Sequence, residues 1–152
     1  MAQFQFARLL LLAREEEERA IRVMQNEQRR LQHSEQKLEQ LFHFRGEYQE
    51  RLRLGQQTGM PIDTMQDYLR FMAKLDVAIS QQQSEVERCQ MFLSNARAAW
   101  EAKQQRVKAF EKLQQRHDQQ ENQKTAKREQ KLMDEFASRD RSPFSHDRAK
   151  PK

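Results

Sequence analysis

The chain has 152 residues, of which 34% are charged and 36% hydrophobic, with three glycines, a net charge of +5 and a pI near 9.6. This composition excludes a large globular core and an interior pocket, and points to an elongated helical protein that buries a seam. The longest apolar run, Leu9 to Ala13, is too short to span a bilayer, and the Phe4 to Ala13 segment lacks the basic start and cleavage site of a secretory signal, so a cytoplasmic protein with no membrane insertion is expected.

The first element is a helix over about 4–54. Leu10, Met24, Leu31, Leu38 and Leu52 fall on heptad a positions and Ala13, Ala20, Leu41 and Tyr48 on d, with Glu17, Arg45, Glu27 and Ser34 interrupting the series. Its Glu15–Arg19 and Glu18–Arg22 spacings predict i,i+4 ion pairs on an exposed face. Between Phe4 and Ser138 the helix-breaking residues are confined to one window: Gly46, Gly55, Gly59 and Pro61. A bend over 55–61 follows. Gly55 is expected to end the first helix in a left-handed conformation, Gly59 to turn and Pro61 to start the next element, with Asp63 and Gln66 at capping-box spacing.

The second helix is predicted over about 62–138, and its heptads are stronger. Met65, Met72, Ile79, Val86, Leu93, Trp100 and Val107 occupy a; Tyr68, Leu75, Gln82, Cys89, Ala96, Lys103 and Phe110 occupy d. Cys89 reads as a small buried hydrophobe, since it has no intrachain cysteine to pair with. The fold expected is an all-α, antiparallel coiled-coil hairpin of one domain, and a bend near residue 58 makes facing residue numbers sum to about 116. That rule sets Leu31 near Val86, Leu38 near Ile79, Leu41 near Leu75, Leu52 near Met65, Ala20 near Ala96 and Phe4 near residue 112. It also faces Ser34 with Gln82 as a register-fixing polar layer. The seam core is then Leu31, Leu38, Met72, Ile79, Val86, Leu93, Trp100, Val107 and Phe110. From Gln114 to Lys131 the apolar face is lost, which predicts a single-helix C-terminal overhang. At 1.5 Å per residue the paired part measures roughly 75 Å and the overhang about 35 Å. The tail, 139–152, is charged, contains Pro143 and is expected to be disordered.

No catalytic or metal-ligating pattern stands out. His33, His43, His117 and His146 are scattered, and no phosphate-binding glycine loop or nucleophile motif occurs, so neither an enzyme nor a cofactor is expected. His117 reads as a solvated surface histidine beyond the seam. No basic stripe or aromatic platform marks nucleic-acid binding, although a basic coiled-coil arm is the alternative from a different class. One feature exceeds what a two-stranded seam requires. Lys37, Phe44, Phe71 and Ala78 occupy g positions, which sets Phe44 against Phe71 and Lys37 against Ala78. With the d residues Leu41, Tyr48, Leu75 and Gln82 they form a broad, largely apolar strip near the bend, read as a docking surface for another protein.

Four runs in order, Leu38 to Leu52 (LEQLFHFRGEYQERL), Tyr68 to Ile79 (YLRFMAKLDVAI), Ala98 to Arg116 (AAWEAKQQRVKAFEKLQQR) and Gln130 to Arg139 (QKLMDEFASR), resemble the flagellar export protein FliJ family over nearly the whole chain. The resemblance implies a stalk-like coiled coil that sits in the hexameric ring of the flagellar export ATPase, promotes its assembly and engages the cytoplasmic domain of the membrane export gate. It implies a gate-binding patch at Lys37, Leu41, Phe44, Tyr48, Phe71, Leu75, Ala78 and Gln82; Lys37, Phe44 and Gln82 depart from the commonest family pattern. It also implies an ATPase-facing end where the amino terminus meets the later second helix, a place at the flagellar base on the inner membrane, and, for some members, recycling of export chaperones. The equivalent stalk protein of a virulence-type secretion system shares the architecture and is the alternative within this class.

Overall fold

The computed structural model describes residues 5–148, with side chains as far as residue 140. Its elements are two helices, α1 (Ala7–Thr58) and α2 (Ile62–Arg148), packed against each other, with no strand among the described residues. The all-α hairpin expected from the heptads is the fold observed. The chain divides into two compact units, one of Met1–Arg14 with Gln105–Lys152 and one of Glu15–Gln104.

The bend differs from expectation in detail. α1 runs through Gly55 and ends at Thr58, and the left-handed residue that stops it is Gly59, at φ 87°. Gly55 has a different task inside the helix: the Met60 side chain folds back so closely that a Cβ at position 55 would overlap its Cε. The Pro61 carbonyl accepts the Met65 N–H at 3.0 Å, so the proline provides the first helical acceptor and Asp63 lies within the first turn. There its charge complements the helix dipole in place of the expected capping box. Gly46 lies mid-helix with open space around its missing Cβ. Gly46→Ala is therefore expected to raise stability by about 1 kcal/mol, and Gly59→Ala to lower it by about 1 kcal/mol because alanine is strained at positive φ. Urea denaturation of the two variants checks both signs.

The buried residues of the Glu15–Gln104 unit are Ser34, Leu75, Ile79, Val86, Cys89 and Ala96, all on a or d positions. Leu31, Leu38, Met72, Leu93 and Trp100 are half-buried beside them, as a two-helix seam allows. The polar layer is in register: the Gln82 amide donates to both the Ser34 carbonyl oxygen and Oγ at 2.9 Å. Arg45 and Asp76, and Lys103 and Glu16 at 3.0 Å, are further cross-helix pairs. Trp100 Nε1 is buried without a hydrogen-bond partner.

In the other unit, Leu10, Ala13 and Val107 form the buried cluster, with Phe110 packed against it and the Phe6 and Phe110 rings 6.3 Å apart. His117, expected on the solvated surface, is half-buried. From residue 122 to residue 140 every side chain is exposed, so this part of α2 is the unpaired helix that the loss of apolar periodicity predicts. α2 then continues to Arg148, ten residues past the expected boundary at 138 and through Pro143. A proline inside a helix withholds its backbone donor and crowds the carbonyl four residues back, so it weakens the ladder where it stands. The remaining tail residues, like the Phe4 side of the Phe4–112 pair, lie outside the described residues.

Glu27–Arg30, Glu50–Arg53 and Glu85–Arg88 are same-helix pairs at i,i+3 spacing. The Glu15–Arg19 and Glu18–Arg22 pairs do not form; an exposed ion pair gains too little to hold two long side chains in place.

Candidate docking surface

The helices position seven of the eight strip residues in two groups, both within the Glu15–Gln104 unit; the eighth, Leu75, is buried. Lys37, Leu41, Phe44, Ala78 and Gln82 line one open groove together with Gln40, Gln81 and Glu85. Lys37 and Ala78 thus share a wall, as the g-to-g rule requires. The second group is aromatic. Phe71 packs on Tyr48 with ring centroids 4.4 Å apart, and Tyr68 joins Tyr48 at 5.8 Å. The expected Phe44–Phe71 ring pair is replaced by this arrangement: Tyr48, at the neighbouring d position, takes the Phe71 ring, while Phe44 lies beside His43 at 6.4 Å. A coiled coil leans g side chains outward, so a d ring reaches across before a second g ring does.

Exposure separates what a partner could touch from what the seam uses. Phe44 is 48% and Phe71 40% exposed, whereas Leu75 is 8% exposed and belongs to the seam. Leu41, Tyr48, Ala78 and Gln82 are half-buried and form the floor. Gln82 holds that floor in place through its bonds to Ser34. Toward the bend, Arg53 donates to Glu50 and holds its carboxyl below its ordinary value; both side chains are exposed.

A second depression continues the first. Arg30, His33, Ser34 and Cys89 line it along with Lys37, Gln82 and Glu85, the three residues common to both. The two depressions are therefore neighbours along one flank, which together extend from Phe44 to Arg30. Gln40 and Gln81, absent from the sequence reading, occupy c positions, one step outside g, and heptad phase alone could have found them. The same holds for Phe92, a g residue three heptads after Phe71, which carries the guanidinium groups of Arg30 and Arg88 at 5.7 and 5.9 Å from its ring centre.

No group of three or more His, Cys, Asp or Glu is arranged to hold a metal ion among the described residues, and no helix is long and apolar enough to cross a membrane. What the surface offers is a pair of shallow open depressions lined by Leu41, Phe44 and Ala78 together with basic, amide and, at Glu85, acidic side chains.

Known proteins with similar sequences are consistent in kind. The family model described as flagellar FliJ protein matches residues 2–142. The flagellar FliJ protein of Escherichia coli (strain K12) is 30% identical over 128 residues, which is 84% of this chain and 87% of that protein. Its counterpart from Salmonella typhi is 29% identical over 128 residues with the same coverage.

Proposed function

The chain belongs to the flagellar FliJ protein family, and on that premise we propose that it is a non-enzymatic component of the flagellar protein export apparatus that binds the hexameric export ATPase and couples it to the cytoplasmic domain of the membrane export gate. The observation that carries the gate half of this reading is the exposure of Phe44 and Phe71 above a half-buried floor, an apolar surface that the seam does not consume. The ATPase half draws on the other unit, where Leu10 and Ala13 are buried but Leu9, Leu11 and Leu12 are 43%, 58% and 47% exposed. A helical turn that is apolar all round is ordinarily covered on every side. In this reading the protein works in the cytoplasm at the flagellar base, peripheral to the inner membrane, and hands export chaperones back for reuse.

Co-purification with the export ATPase and with the gate's cytoplasmic domain tests both halves. Phe44→Ala with Phe71→Ala is expected to weaken gate binding at least tenfold, with helix content and ATPase stimulation unchanged. Leu9→Ala, Leu11→Ala and Leu12→Ala together are expected to reduce stimulation of ATP hydrolysis and to spare the gate. Full gate affinity in the double phenylalanine variant would sink the assignment of the strip, and full stimulation in the triple leucine variant that of the amino-terminal surface.

A further inference from the structure

On the flank that holds Phe44, beyond the groove itself, a second apolar layer stands three heptads away. Val23 and Phe92 are both g residues, their numbers sum to 115 as do those of Phe44 and Phe71, and they are 53% and 40% exposed. Each layer takes one residue from α1 and one from α2. The layers lie about 31 Å apart along the helices, at 1.5 Å per residue.

Charge is sorted between the two flanks of this stretch. On the g and c positions between the layers stand Arg30, Lys37, Lys74 and Arg88, with Glu85 alone opposing them. On the e and b positions at the same levels stand Glu35, Glu39, Asp76 and Glu87, with no Lys or Arg. The linear sequence conceals this basic flank because like charges alternate with unlike ones until the helices are wound. Arg30 and Arg88 are fixed at its far end: each is ion-paired, to Glu27 at 3.4 Å and Glu85 at 3.0 Å, and each stands over the Phe92 ring.

We propose that this flank, from Phe44 and Phe71 to Val23 and Phe92, is a seat for an acidic amphipathic helix of about three heptads from a partner protein, laid along the groove as a third strand of the coiled coil. The proposal rests on the reading of the Phe44–Phe71 strip as a docking surface and extends it to a second anchor and a partner chemistry. A helix fits where an extended peptide does not. The groove walls are helices whose backbone groups are already bonded internally, so a strand would find nothing to pair with, whereas a helix satisfies its own backbone. Apolar side chains at heptad intervals meet both layers in phase, and acidic side chains at the flanks of that stripe meet Arg30, Lys37, Lys74 and Arg88.

The probe is a synthetic 24-residue helical peptide with Leu at a and d and Glu at e and g, followed by fluorescence anisotropy with the full chain. Its controls are the same peptide with Lys for Glu and a single-stranded oligonucleotide of equal net negative charge. The acidic peptide is expected to bind at least tenfold more tightly than either control. Phe92→Ala and Arg88→Glu are each expected to weaken it about tenfold, while Phe42→Ala, on the acidic flank and 48% exposed, leaves it unchanged. Circular dichroism confirms that each variant keeps its helix content. Equal binding of the oligonucleotide, or of the basic peptide, overturns the proposal. So does an affinity indifferent to Phe92→Ala and Arg88→Glu; if Phe44→Ala with Phe71→Ala still abolishes binding in that case, the second anchor alone is wrong and the strip stands. Indifference to the Phe44 and Phe71 changes overturns the strip itself.

Discussion

Ile79→Asp is expected to abolish cooperative thermal melting of the Glu15–Gln104 unit, whereas Val77→Asp, two residues away on the same helix, leaves it intact. Ile79 is 6% exposed at an a position and Val77 is 58% exposed. A carboxylate at position 79 enters a seam that offers it no cation, and an uncompensated buried charge costs about 3–5 kcal/mol before the loss of the isoleucine's own burial, about 2 kcal/mol, is added. A domain with total stability of roughly 5–15 kcal/mol has little left. At position 77 the carboxylate remains in water and the change stays within about 0.5 kcal/mol. Ellipticity at 222 nm followed through a melt separates the two. If both variants melted alike, the heptad seam would not be where packing stabilises the protein.

Amide hydrogen exchange is expected to divide α2 sharply. Between residues 122 and 140 all side chains are exposed, so the helix there relies on its backbone alone, and an unsupported helix is marginal in water. Those amides are expected to exchange within about tenfold of unstructured rates. From Ile79 to Leu93, where Ile79, Val86 and Cys89 are buried, exchange requires opening of the seam and is expected to be slower by a factor of about a thousand or more. Comparable protection in both segments would mean that another molecule covers residues 122–140 in solution.

Most of the fold was legible because a coiled coil repeats one rule. A seven-residue period and a single breaker window were enough to place Ser34 opposite Gln82, and the pairing is found as a hydrogen bond. What the rule misses is local and stereochemical. Whether Gly55 or Gly59 ends α1 depends on which one can be spared from the helix, and the sequence does not announce that Met60 folds back onto residue 55. Likewise, heptad phase locates Phe44, Phe71 and Tyr48 on one flank but says nothing of rotamers, so it could not tell that the Phe71 ring is taken by Tyr48. The basic flank was hidden for a third reason: a net charge counts residues, while a flank selects them by angle.

The cross-helix bonds of the Glu15–Gln104 unit form a ladder in chain separation. Arg45 and Asp76 are 31 residues apart, Ser34 and Gln82 are 48, and Lys103 and Glu16 are 87. Closing the longest loop first would order the ends of a long flexible chain at the full entropic cost, but each rung adds only a short increment once the rung nearer the bend has formed. The topology leads us to expect nucleation beside Pro61 and closure outward from it, with the Lys103–Glu16 level closing last. Contacts near the bend are therefore expected to form early and to set the folding rate, and contacts far from it to open first.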